Sequence, residues 1–188
     1  MLICVRLRFN PNLPMRLNKG FFIGVRTTFM VCRLTEIVLE LDVQNASTMP
    51  DFPDYEEFHR WAMAALAGRC ARAQLSIRLV DESEGADFNR RFRGGRGATN
   101  VLSFPFEPLP GITVCDLLGD LVICTPVVAR EAWEQGTSLE AHWAHILVHG
   151  ILHLLGYDHA DTAAAIEMEG LERHILLGLG FPAPYEDE

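Results

Sequence analysis

The chain has 188 residues, 49% hydrophobic and 22% charged. That suits one soluble domain with a single buried core and excludes a disordered chain. The formal net charge of −9 argues against a broadly basic surface for nucleic acid.

The charge is unevenly placed. Residues 1–35 hold Arg6, Arg8, Arg16, Lys19, Arg26 and Arg33 and no Asp or Glu, which leaves 10 basic against 25 acidic residues in 36–188. Any polyanion site in that body must be a local basic patch. The five cysteines (Cys4, Cys32, Cys70, Cys115, Cys124) are odd in number, irregular in spacing and contain no C-x-x-C pair. They read as free thiols in a reducing cytosol rather than as disulfides or a cysteine zinc site. The apolar run Phe21–Val25 is short and ends at Arg26, so neither a membrane span nor a secretory signal is expected, and the location expected is cytoplasmic.

Asn10, Pro11, Asn12 and Pro14 break any regular pattern in residues 1–35. This stretch is expected to be a basic, loosely ordered extension, and Met30 offers an alternative translation start. Residues 36–188 are expected to form one domain. Ile37, Leu39, Leu41 and Val43 alternate with polar neighbours, as in a half-buried strand. Asp54 caps a helix expected over about 55–69, with Phe58, Trp61, Ala62, Ala65 and Leu66 on one face. Leu75, Ile77 and Leu79 give a second strand. A helix over 82–93 ends at Gly94-Gly95. Val101–Phe104 is a third strand, stopped by Pro105, and a proline-containing loop covers 105–116. Leu118–Cys124 is a fourth strand, and Pro126 opens a helix over about 126–135. Thr137-Ser138-Leu139-Glu140 carries a capping-box signal for an apolar helix to about Leu155, where Gly156 stops it. A last helix spans about 162–178, with Ile166, Leu171, Ile175 and Leu176 among its apolar positions.

The segment from His149 reads HGILHLLGYDH. A helix places His149 and His153 on one face, one turn apart. Gly156 then lets the chain turn back and bring His159 to the same point. Three imidazoles leave zinc a fourth position for water, the arrangement of a catalytic rather than a closed structural site. The spacing H-x-x-x-H-x-x-G-x-x-H is that of the metzincin peptidases, but their Glu general base is replaced here by Gly150. His142 and His145 lie within about 40° of His149 on the helical wheel. They read equally as partners of the ligands or as polar groups packed on nearby backbone. Asp158 either orients a ligand imidazole or, by slight preference, caps the turn.

HGILHLLGYDH resembles the signature of the YbeY family of bacterial endoribonucleases, and other segments fit in order. These are Ile77–Asp81, Asn89–Gly94, Thr99–Glu107, Leu118–Ile123, Leu139–His145 and Gly178–Pro182. The likeness covers roughly residues 36–185. It implies an α+β fold with a small mixed sheet flanked by helices. It also implies a zinc-dependent, single-strand-specific endoribonuclease that matures the 3′ end of small-subunit ribosomal RNA and serves ribosome quality control. Carried over by position, it places one zinc ion on His149, His153 and His159 and a functional arginine at Arg93. Where the family has a Lys-Asp-Lys-Pro-like stretch, this chain has Gly95-Arg96-Gly97-Ala98, a loop expected to be more flexible.

Arg90, Arg91, Arg93 and Arg96 are the densest basic cluster of residues 36–188. They read either as phosphate contacts or as cations complementing a helix C-terminus. Beside the histidine motif the first reading is preferred for Arg93, which would steady charge in the transition state. Asn100 and Ser103 are candidate substrate contacts, with strand-end capping as the equal alternative. Two other functions stay open: a metallopeptidase or other zinc hydrolase, and a non-catalytic ribosome-associated module with a structural metal.

Overall fold

The computed structural model describes residues 37–107 and 116–184. The extension 1–35 and Cys4, Cys32 and Cys115 lie outside the described residues.

The elements run β1 (Val38–Asn45), α1 (Tyr55–Leu66), β2 (Arg72–Val80), α2 (Glu82–Arg93), β3 (Val101–Pro105), β4 (Leu117–Cys124), α3 (Thr125–Glu134), α4 (Leu139–Leu154) and α5 (Thr162–Leu179). The sheet order is β1-β2-β4-β3. β1, β2 and β4 are parallel, and β3 pairs antiparallel with β4 at the edge. This is the α+β mixed sheet flanked by helices that the resemblance implies.

Alternation along the strands sorts the two faces. Ala73, Leu75, Ile77 and Leu79 of β2, with Leu121 and Ile123 of β4, join Phe58, Trp61, Trp143 and Ile146 in the main core. Leu102, Val122 and Cys124 point the other way, into a smaller cluster with Val127 and the flanking Phe88 and Phe104. Thus α1, α4 and α5 form one layer, α2 lies on the opposite face, and α3 contributes to both clusters through Val127 and Val128.

The ends follow the local chemistry. Asp54 and Glu57 form a reciprocal capping box at α1. Gly94, at φ 65°, ends α2 at the expected residue. α3 starts at Thr125, one residue before Pro126. At α4 the sequence signal needs correcting: the cap is Ser138 alone, whose hydroxyl accepts from the Ala141 N–H at 3.2 Å. Ile166 of α5 faces solvent at 67% exposure, so it is not a core position.

Every residue of α4 from Ala141 to Leu154 is buried. The helix packs against α1, α3, α5 and the edge strand β3. Gly150 makes the close approach to the sheet. A Cβ built there would lie 3.0 Å from Leu121 Cδ2 and 3.3 Å from Val101 Cγ2. Gly150→Ala is therefore expected to cost about 1–3 kcal/mol by overpacking, read as a lower urea midpoint at unchanged slope. Wild-type stability in that variant would show that the helix–sheet gap relaxes freely.

Candidate metal centre

The site is built where α4 stops. Gly156, at φ 99°, takes the left-handed conformation that glycine adopts without penalty. Its N–H donates to His153 O at 3.0 Å, and the Tyr157 N–H donates to Leu152 O at 3.0 Å. This pair of bonds is a Schellman closure. It also leaves the Tyr157 carbonyl facing back, where it accepts from His153 Nδ1 at 3.0 Å. One glycine therefore ends the helix, turns the chain toward His159 and orients the His153 ring.

His149 is oriented from the other side. Its Nδ1 donates to Glu172 Oε1 on α5 at 2.6 Å, and His145 Nε2 lies 3.3 Å from Glu172 Oε2. Glu172 is 1% exposed. Burial pushes its carboxyl up, but the hydrogen bonds from His145 and His149 and their charge outweigh this and hold it at about 2. Glu172 therefore stays ionised and can only accept, which fixes the His149 proton on Nδ1.

The three predicted imidazoles come together. His149 Nε2 and His153 Nε2 are 3.0 Å apart. The His159 ring centroid lies 5.1 Å from that of His153 and 5.8 Å from that of His149. Burial first, then the neighbouring His149 and His159, lower His153 to about 4, so its ring is neutral near pH 7. With His153 Nδ1 donating to the Tyr157 carbonyl and His149 Nδ1 to Glu172, the two Nε2 atoms are turned toward each other. Two converging imidazole nitrogens are a donor pair for a shared cation. Tetrahedral zinc with bonds of about 2.0–2.1 Å sets its nitrogen ligands about 3.3 Å apart, close to the spacing found. His159 Nδ1 is buried without a hydrogen-bond partner, a further donor atom suited to a cation. Two converging Nε2 atoms and an unpartnered buried His159 Nδ1 are a nitrogen donor set that fits a zinc ion.

Asp158 lies close by: ligand atoms of His153, Asp158 and His159 all fall within 4.8 Å of one another. Asp158 Oδ1 already accepts from the His159 N–H at 2.8 Å, which favours its role in the turn.

The other predicted residues are distributed around this centre. Ser103 Oγ on β3 donates to the Gly150 carbonyl at 3.2 Å, next in the chain to His149. Asn100 is buried; its Nδ2 donates to Glu131 Oε2 at 3.0 Å and its Oδ1 accepts from the Val101 N–H at 2.6 Å. Glu131 also bonds His142 Nε2 at 3.1 Å. Arg93 is half-buried at the end of α2, the helix on the opposite face of the sheet from α4. The glycine loop is tied back to Asn89, whose Nδ2 donates to Gly97 O at 2.9 Å and whose backbone carbonyl accepts from the Gly95 N–H at 3.3 Å. Gly95 leaves room for that amide, since a Cβ there would lie 2.5 Å from Asn89 Nδ2.

Sequence reasoning missed Glu172 and Glu131. A signal was present. Met168, Glu172, Ile175 and Leu176 form the buried stripe of α5, and the half-buried Glu131 lies beside Val127, Val128 and Ala132, the buried stripe of α3. An acid in or beside each apolar stripe marks a polar partner within the fold.

Comparison with known proteins extends this local picture. The model of the Endoribonuclease YbeY family matches residues 42–180. The chain belongs to the YbeY family. It is 54% identical over 151 residues to Endoribonuclease YbeY of Pseudomonas entomophila, covering 80% of this chain and 96% of that one. The Pseudomonas syringae pv. tomato relative is also 54% identical, with 80% and 90% covered. The solution structure of TM1509 from Thermotoga maritima matches with TM-score 0.51 at 22% identity, over 80% of this chain and 97% of that one. That likeness shows a shared fold. YbeY membership makes this chain a nuclease-type hydrolase acting on RNA.

Glu172→Ala is expected to lower stability by about 3–5 kcal/mol, because it strands two buried rings. It should also weaken divalent-metal binding about 10- to 100-fold. Glu172→Gln, which keeps an acceptor, should fall between. Urea denaturation and a zinc competition titration read the two effects separately. Metal affinity equal to wild type in both variants would remove Glu172 from the centre.

Proposed function

We propose that this chain is a zinc-dependent, single-strand-specific endoribonuclease, with one zinc ion held by His149, His153 and His159. The observation that carries the reading is the convergence of His149 Nε2 and His153 Nε2 to 3.0 Å, with their rings oriented by Glu172 and the Tyr157 carbonyl, beside His159. Zinc held there supplies Lewis acidity toward a phosphodiester. Arg93 is the catalytic cation. A guanidinium can grip a phosphate by two hydrogen bonds and favour the charge that develops on it. Asn100 and Ser103 hydrogen-bond the substrate from the start of β3, where Ser103 reaches the α4 backbone beside His149.

By family resemblance the substrate is the 3′ end of small-subunit ribosomal RNA. The setting is the ribosome, in maturation and quality control, in the cytoplasm. No helix of the described residues is long and apolar enough to cross a membrane.

The metallopeptidase reading has the histidine spacing in its favour and Gly150 against it. Gly150 faces Leu121 and Val101 of the sheet, so a base at that position would point into packed core rather than toward the histidines.

The purified protein is expected to cut single-stranded RNA and leave casein intact, with cleavage abolished by a chelator and restored by zinc. His153→Ala should stay folded by circular dichroism and lose cleavage. Arg93→Ala should lower kcat about 10²–10³-fold, as loss of a transition-state donor does. Casein cut while RNA survives would overturn the assignment, and a His153→Ala chain that unfolds beside an inactive wild type would make the metal structural. A 2′,3′-cyclic phosphate on the product would identify the ribose hydroxyl as the attacking group.

A further inference from the structure

On the face of the sheet away from the histidines, three phenylalanines meet at the C-terminal end of α2. Phe88 and Phe92 are one turn apart, with ring centroids at 5.9 Å and planes 20° apart. Phe104 of β3 meets Phe92 edge-on, at 5.1 Å and 76°. It also touches Phe88 at 6.3 Å. Two rings therefore fix the orientation of Phe92, yet Phe92 is 59% exposed. A large apolar ring held rigid and left half in water is the feature to explain.

Its surroundings are cationic. Arg91 precedes Phe92, Arg93 follows it, and Arg96 stands in the loop beyond; Arg91 and Arg96 are exposed. Arg90 spends its charge on Asp87 at 2.7 Å. Arg91 and Arg96 have no carboxylate within ion-pair distance among the described residues. In a body of net negative charge, exposed cations beside a fixed aromatic face match one ligand chemistry: a polyanion that also carries flat rings.

We infer that Phe92 is a base-stacking platform for single-stranded RNA, with Arg91 and Arg96 holding the phosphates on either side of the stacked nucleotide. The inference rests on the endoribonuclease reading and adds a physical source for strand selectivity. In a duplex both faces of a base are already stacked, so only a splayed base can lie on the ring. Phe92 is thus a specificity-determining residue outside the metal centre, not a catalytic one.

The test is fluorescence anisotropy with the full chain and a 2′-O-methylated oligoadenylate in the presence of chelator, so that nothing is cut. An abasic oligomer of equal length and a duplex RNA serve as controls. Phe92→Ala is expected to weaken oligoadenylate binding about tenfold, the worth of one stacked base. Binding of the abasic oligomer and of the duplex should not change. Phe92→Leu, which keeps packing against Phe88 and Phe104, should lose binding as the alanine variant does. Phe92→Trp should retain it. Arg91→Gln should lower the slope of log K against log salt by about 0.7 on the single strand.

Equal losses on the oligoadenylate and the abasic oligomer would overturn the stacking role. So would wild-type binding by the leucine variant. If wild type cuts RNA and all Phe92 variants bind as it does, this platform fails while the nuclease reading stands. If wild type neither binds nor cuts RNA, both fail together.

Discussion

A helix apolar on nearly every side has to be buried on every side, and α4 carries four histidines into that position. Each ring nitrogen taken from water needs a partner. The fold supplies the partners from three directions. Glu131 comes from α3 for His142, Glu172 from α5 for His145 and His149, and the Tyr157 carbonyl from the turn for His153. The placement of α3 and α5 around α4 is therefore tied to the same contacts that decide which nitrogen of each ring bears the proton.

Two glycines on that segment do opposite jobs. Gly150 brings α4 down onto Leu121 and Val101, and so fixes the height of His149 above the sheet. Gly156 reverses the chain and delivers His159. The three-histidine spacing shared with metzincin peptidases follows from the second job, since a helix closed by an αL glycine returns the chain at a set distance. The first job separates the two chemistries. With the position after His149 facing the sheet, this chain has no place there for a carboxylate base, and reactivity must come from residues on other elements.

The helices and strands were legible wherever a local rule decided them. Gly94 ended α2 at the expected residue, Asp54 with Glu57 opened α1, and alternation marked β1 and β2. The sheet order β1-β2-β4-β3 was not legible from periodicity, because pairing depends on which faces α4 and α2 cover. At the candidate site the sequence gathered the histidines, since four-residue spacing and a glycine stop are local geometry. Glu172 and Glu131 went unread because they lie 23 and 11 residues from the histidines they bond. Asn100 had strand-end capping as its alternative. Its bonds to Glu131 and to the Val101 N–H join it to His142.

The overall charge of −9 looked unpromising for an RNA partner, and the distribution of charge resolves this. The open part of the sheet forms a groove of about 780 Å³ whose lining includes Glu40, Asp42, Glu107 and Asp120. Phosphates are repelled there. Phe104 borders this groove and also touches Phe92, so the acidic groove adjoins the arginine-rich end of α2. Fields from exposed charges fade over about 8 Å at physiological salt, so the two patches act as separate local surfaces rather than as one average. Among the described residues, an acidic body with this basic, aromatic corner would confine a polyanion to that corner. A uniformly basic surface would bind the same strand anywhere and present no particular phosphate to the centre.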